Sequence, residues 1–118
     1  MAYPGGRTDE RVIKIIKEKT SMKFARGVGS THSFDLQDDL LNFCPTVHWE
    51  DPNLFEDIEN FLNSKSDKPQ LFYIWGHAYE IDFGSKLITL EKFEKMCKML
   101  ANHNDIYYGT NSQVLFEK

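Results

Sequence analysis

Leu71-Phe72-Tyr73-Ile74-Trp75-Gly76-His77 is the stretch on which the fold turns. Its five leading residues are apolar or aromatic without alternation. That pattern predicts a strand buried on both faces, as in a parallel sheet covered by helices. Gly76 ends the run. Upstream lies the clearest helix start in the chain. Asp51 is a good N-cap, and Pro52 suits the first helical position, where its missing N–H costs nothing. Leu54, Phe55, Ile58, Phe61 and Leu62 follow at i, i+1, i+4, i+7 and i+8, a core-facing stripe. The polar residues 63–68 close it. Downstream, residues 89–101 read as a second helix with Leu90, Phe93, Met96, Cys97 and Leu100 on one side.

Working outward, residues 8–20 predict a further helix. Thr8 can cap it, Asp9 and Glu10 place negative charge in its first turn, and Lys17 and Lys19 suit its last. Val12, Ile13 and Ile16 form its apolar face. Residues 22–28, 46–49 and 106–108 are strand candidates, and a first strand can precede Tyr3. Residues 27–45 are the least regular, with one or two helical turns predicted at 38–43. Residues 111–116 suit a short terminal helix or strand. The alternation gives an α/β class, a mostly parallel sheet built from βα units, and a single domain over residues 1–118.

Composition narrows the function classes. The chain has 118 residues, 14 Lys plus Arg against 18 Asp plus Glu, and a formal net charge of -4. That balance, with no basic cluster, argues against a nucleic-acid partner. The longest apolar run is too short to span a bilayer. The first residues lack the basic and apolar regions of a signal peptide, so a cytoplasmic location is the expectation. Cys44 and Cys97 make no disulfide framework and no metal-type spacing.

In a parallel sheet, chemistry collects where strands end. Three places qualify: Tyr3-Pro4-Gly5-Gly6, the segment from Arg26 to His32, and Gly76-His77-Ala78-Tyr79-Glu80. His77 directly after a strand can trade a proton near neutral pH, with Glu80 or Asp82 close enough in sequence to orient it. The plainer reading is a histidine that only hydrogen-bonds at a strand end. Trp75 and Tyr79 are either core and edge aromatics or a stacking surface for a sugar ring. Arg26 is either an anion or ligand contact or a surface ion pair, and Pro4 with its glycines is either a cleft wall or only a turn. His32 and His48 form no ligand pair with a recognisable spacing, Cys44 reads as a small core residue, and His103 as exposed.

Several segments resemble the polysaccharide deacetylases, the carbohydrate esterases with NodB homology. Ala2-Tyr3-Pro4-Gly5-Gly6-Arg7 with Phe24-Ala25-Arg26 resembles that family's third motif region. Gly29-Ser30-Thr31-His32-Ser33-Phe34-Asp35-Leu36 is similar to the loop that follows in a bacterial subgroup. Residues 71–80 resemble the late strand carrying the family's last histidine, and residues 105–111 its final strand. The resemblance implies the C-terminal half of a distorted (β/α) barrel and action on acetylated carbohydrate. It implies His77 as general acid toward the leaving amine, with Tyr3, Pro4, Arg26, Trp75, Tyr79 and Glu80 around the substrate.

The family's divalent metal, usually zinc, and its aspartate base sit on Thr-Phe-Asp-Asp and His-x-x-x-His motifs of the other half. Neither motif occurs here, so no metal ligand and no cofactor is expected on this chain alone. The isolated chain is expected to be inactive, and to self-associate or pack against a missing N-terminal half. The alternative is a noncatalytic carbohydrate-binding or assembly module. On either reading His77 is expected to look into a sugar-sized hollow.

Overall fold

The computed structural model describes residues 1–83 and 87–117. Helix α1 (Glu10–Lys19) starts at Asp9, whose side chain accepts the Val12 N–H at 2.8 Å. Asp9 rather than Thr8 is therefore the cap, and the Thr8 hydroxyl is buried without a partner. The α1 stripe of Val12, Ile13 and Ile16 packs on Tyr3, Ala25 and Leu41. Strand β1 (Val47–His48) leads through a turn into α2 (Leu54–Leu62). Asp51 caps that turn, accepting from Asn53 N–H at 2.8 Å, so the helix begins slightly later than the Asp-Pro signal implies.

Strand β2 (Ile74–Trp75) pairs in parallel with β1, Val47 opposite Ile74 and His48 opposite Trp75. Helix α3 (Leu90–Leu100) follows, capped by Thr89, whose hydroxyl accepts from Lys92 N–H. Helix α4 (Asn111–Phe116) ends the described chain. The class is mixed α and β with parallel pairing, as expected.

The regular sheet is only two strands, extended by isolated parallel bridges from Ala2 to Arg26 and from Arg26 to Phe43. The expected strand at 22–28 is thus a short paired segment. Residues 38–43 form a turn instead of helix, with Asn42 N–H donating to Asp39 O. Residues 106–108 stay unpaired with any strand, and the Tyr108 hydroxyl instead donates to Leu100 O at 2.6 Å.

Side-chain alternation along β2 sorts its residues onto two faces. Phe72 and Ile74 join Val47, Leu54, Ile58, Ile88 and Met96 in the larger core, beneath α2 and α3. Tyr73 and Trp75 point the other way, toward Phe24, Phe43, Arg26 and His48. Phe24 and Phe43 are themselves buried on this second face, whereas Arg26, His48, Tyr73 and Trp75 stay half-buried there. The run therefore is not buried on both sides: Tyr73, Ile74 and Trp75 are all half-buried.

The dimensions agree. The molecule measures 43 × 40 × 19 Å, the thickness of one sheet and one helical layer. Its radius of gyration, 15.3 Å, exceeds the about 13.5 Å typical of a compact chain this long. Two members of the α3 stripe are correspondingly misplaced in the sequence reading: Leu90 is 60% exposed and Cys97 is exposed, while Ile88, just before the helix, is fully buried.

Candidate functional site at the strand ends

The C-terminal ends of β1 and β2 lie side by side because the pair is parallel. Each ends in chemistry: His48 on β1, and His77 two residues beyond Trp75 on β2. Directly after His77 the chain makes one tight helical turn, Ala78–Glu80, that folds Glu80 back under His77. Glu80 Oε1 accepts the His77 backbone N–H at 2.6 Å, the Trp49 indole N–H at 2.9 Å and His48 Nε2 at 3.1 Å. Glu80 Oε2 lies 3.5 Å from His77 Nδ1. One carboxylate thus ties the ends of both strands together.

The electrostatics follow from that crowding. Burial by itself pushes the Glu80 carboxyl up. The His77 N–H, a hydrogen bond with the Glu50 side chain, electrostatic attraction to the His48 ring and the Trp49 indole outweigh it, and the carboxyl falls from 4.5 to about 2. Glu80 is therefore an anion across the physiological range, although its side chain is only 13% exposed. Gly76 makes the arrangement possible, since a Cβ there would fall inside the Trp49 indole.

The expected site residues divide into two groups. His77, Glu80, Trp75, Tyr79 and Arg26 come together. The Trp75 ring stands 5.4 Å from that of His77, Tyr79 stacks on His77 at 5.0 Å, and the Arg26 guanidinium lies over Trp75 at 4.7 Å. His77 retains 49% side-chain exposure, so the imidazole is supported from below and open above.

Tyr3 and Pro4 do not join them. Tyr3 is buried against α1, its hydroxyl donating to Leu41 O at 2.5 Å, and it acts as a core residue. Pro4 is exposed in the turn that Gly5 and Gly6 complete with positive φ. Among the described residues His77 has its ion-pair partner in Glu80 rather than Asp82, whose backbone N–H donates to Ile88 O.

His48 is the member of this cluster that the sequence reading missed. Its signal was present, because it closes β1 as His77 follows β2, but Glu80, its partner, lies 32 residues away. His103, expected to be exposed, is half-buried and reaches Met99 O from Nε2 at 2.7 Å, covering the end of α3. Cys44 is half-buried rather than part of the core.

Ligand atoms of His48, His77 and Glu80 lie within 4.8 Å of one another, close enough to surround a metal ion. Their hydrogen bonds do not suit one. His48 Nδ1 accepts the Glu50 backbone N–H at 3.1 Å, which leaves the ring proton on Nε2, directed at Glu80. A metal would need a lone pair at that nitrogen, with Nδ1–H given to an acceptor. Here Nδ1 faces a donor, and Glu80 Oε1 already accepts three donors. The zinc of the resembled family therefore does not fit this cluster as it is bonded.

A groove of 610 Å³ opens elsewhere, between Phe61, Phe72, Leu100 and Tyr108, and none of the site residues lines it. The hollow expected at His77 is instead the open sheet face. Among the described residues, no helix is long and apolar enough to cross a membrane. In comparisons with known proteins, no family model, curated protein or solved structure matches the chain.

Proposed function

We propose that this chain forms the proton-donor and sugar-facing side of a carbohydrate deacetylase centre whose metal- and base-bearing side is supplied from outside residues 1–118. The observation that carries the reading is His77: a half-exposed imidazole at the end of a parallel strand, with the Glu80 carboxylate 3.5 Å from its Nδ1 and Trp75 and Tyr79 beside it. A poor amine leaving group needs a proton as it departs, and an imidazole aimed from a fixed strand end can supply it. The aromatic rings offer faces on which a sugar can stack. The resemblance to the deacetylases assigns the same histidine that role.

The open sheet face supports the idea of a half-centre. The slab is 19 Å thick, and at this face Tyr79 is 69% exposed beside the half-exposed His77, so a second layer would have surface to cover. The partner of this proposal is a second copy of the chain or an N-terminal half-domain. A monodisperse monomer in sedimentation analysis would count against it. The same open face favours a second reading, a noncatalytic module that binds carbohydrate or assembles with a partner.

Acetate release from acetylated chitooligosaccharide with added zinc separates these readings. Residues 1–118 alone should release none. A chain extended upstream to include the base and metal motifs should release acetate, and His77→Gln should lower that rate roughly 100-fold or more. Zinc-stimulated release by residues 1–118 alone overturns the half-centre. Release by the extended chain that His77→Gln leaves untouched overturns the role of the histidine, and no release by either leaves the noncatalytic module.

A further inference from the structure

We infer that the open sheet face selects a negatively charged carbohydrate, one bearing a carboxylate, and that Arg26 is the residue that reads the charge. The inference rests on the carbohydrate reading above and adds the substrate class.

Arg26 is fixed unusually well for an arginine at the end of a short segment. Its backbone N–H donates to Met1 O and its carbonyl accepts from Tyr3 N–H, both at 3.0 Å, and it bridges Ala2 on one side and Phe43 on the other. Its side chain leaves the face opposite Ala25, which is fully buried under α1. Its guanidinium carbon sits over the Trp75 ring, 4.7 Å from the centroid, a contact that does not use its N–H donors.

Among the described residues a single hydrogen bond engages those donors, from Nη1 to Gly27 O at 3.2 Å. Among the described residues no carboxylate pairs with Arg26, in a chain where acidic residues outnumber basic ones 18 to 14. The nearest anion of the site cannot serve, because Glu80 is already held by His77, His48 and Trp49. A guanidinium that is half-buried, pre-oriented and short of acceptors is matched by a planar two-oxygen anion. Trp75 lies between Arg26 and His77, so a sugar ring seated near the indole would present its carboxylate to one and its acyl group to the other.

The test uses residues 1–118 and two hexasaccharides, both containing N-acetylglucosamine: neutral chitohexaose, and an acidic one alternating with glucuronate. Binding is followed by tryptophan fluorescence and by the His77 ring signals in NMR. The acidic sugar should bind roughly tenfold more tightly at low salt, and the advantage should shrink as salt screens the charge. Arg26→Gln should abolish the preference by bringing the affinity for the acidic sugar down to that for chitohexaose, and Arg26→Lys should retain part of it. Unchanged far-ultraviolet circular dichroism and urea unfolding show that the variants are folded.

Equal affinity for the two sugars, or a preference that survives Arg26→Gln, overturns the inference and spares the carbohydrate site. Binding of neither sugar overturns both. Glucuronate or inorganic phosphate binding as tightly as the acidic hexasaccharide overturns the sugar-reading role and leaves a bare anion seat.

Discussion

The two faces of the sheet are built from neighbouring residues and do opposite things. Val47 and Ile74 look toward α2 and α3 into an aliphatic core where Leu54, Ile58 and Ile88 are almost or fully inaccessible. His48 and Trp75, their immediate successors, look the other way, into a half-buried aromatic and charged layer with Arg26 and Tyr73 that is anchored on the buried Phe24 and Phe43. The covered face spends its residues on packing. The open face keeps polar groups that a stable core would reject, and holds them by hydrogen bonds. If the second face binds a ligand as proposed, mutations should separate stability, carried by the first face, from binding.

The largest expected effect is on the covered face. Ile58 is completely buried beneath the sheet, and Ile58→Ala removes apolar contacts and leaves a cavity. It should cost about 2–5 kcal/mol in urea unfolding and leave the His77 environment unchanged while the chain remains folded. A loss below about 1 kcal/mol would mean that the division of labour between the faces is wrong.

Glu80→Gln comes next and should do the reverse in part. It removes an anion hydrogen-bonded to three donors, each such bond being worth about 1.5–3 kcal/mol at most, and Gln retains some of them. A cost near 2 kcal/mol is expected, with large shifts in the His48 and His77 NMR signals. The pH dependence identifies the cause. The Glu80 carboxyl is depressed in the folded chain, so its stabilisation is complete above the unfolded value of 4.5 and is lost as pH falls from there toward about 2. Acid titration of stability should therefore be flatter in Glu80→Gln than in the parent; parallel curves would remove Glu80 from its central place. Gly76→Ala is a milder probe of the same arrangement, since its added methyl must displace the Trp49 indole. It should cost about 1–3 kcal/mol and alter near-ultraviolet circular dichroism.

How much of this was legible in the sequence follows the same division. The helices were readable, because Ile16, Ile58 and Met96 recur at helical spacing and a helix needs only its own residues to announce its face. Strand ends were readable too: His77, Trp75, Tyr79, Glu80 and Arg26 do converge. The covering of the sheet was not, because an unbroken apolar run looks the same whether one layer of helices lies on it or two. Trp75 and Tyr73 satisfy that pattern with aromatic rings on an open face. The unpaired segment at 106–108 and the turn at 38–43 fail for a related reason, since pairing depends on a neighbour that local propensity does not specify. His48 was hidden by sequence distance alone.

The smallest expected effect tests the seam between the faces. His32, at positive φ in the irregular segment, directs Nδ1 at the buried Asp57 carboxylate of α2, 2.6 Å away, and lies 3.5 Å through Nε2 from Asp51. The hydrogen bond to Asp57 raises the imidazole above 6.5, burial opposes it, and the charges of Asp57 and Asp51 add to the rise. A raised histidine stabilises the fold fully below the unfolded value of 6.5, and that contribution disappears as pH climbs through the higher folded value. Stability should therefore decline on the alkaline side of 6.5, and His32→Gln should remove that slope. Because the side chain is 37% exposed, solvent and salt will reduce the effect, and it should shrink further at high ionic strength. The open-face chemistry should not follow it: His77 signals that moved with the His32 titration would show the two faces to be coupled through residues 27–45 rather than independent.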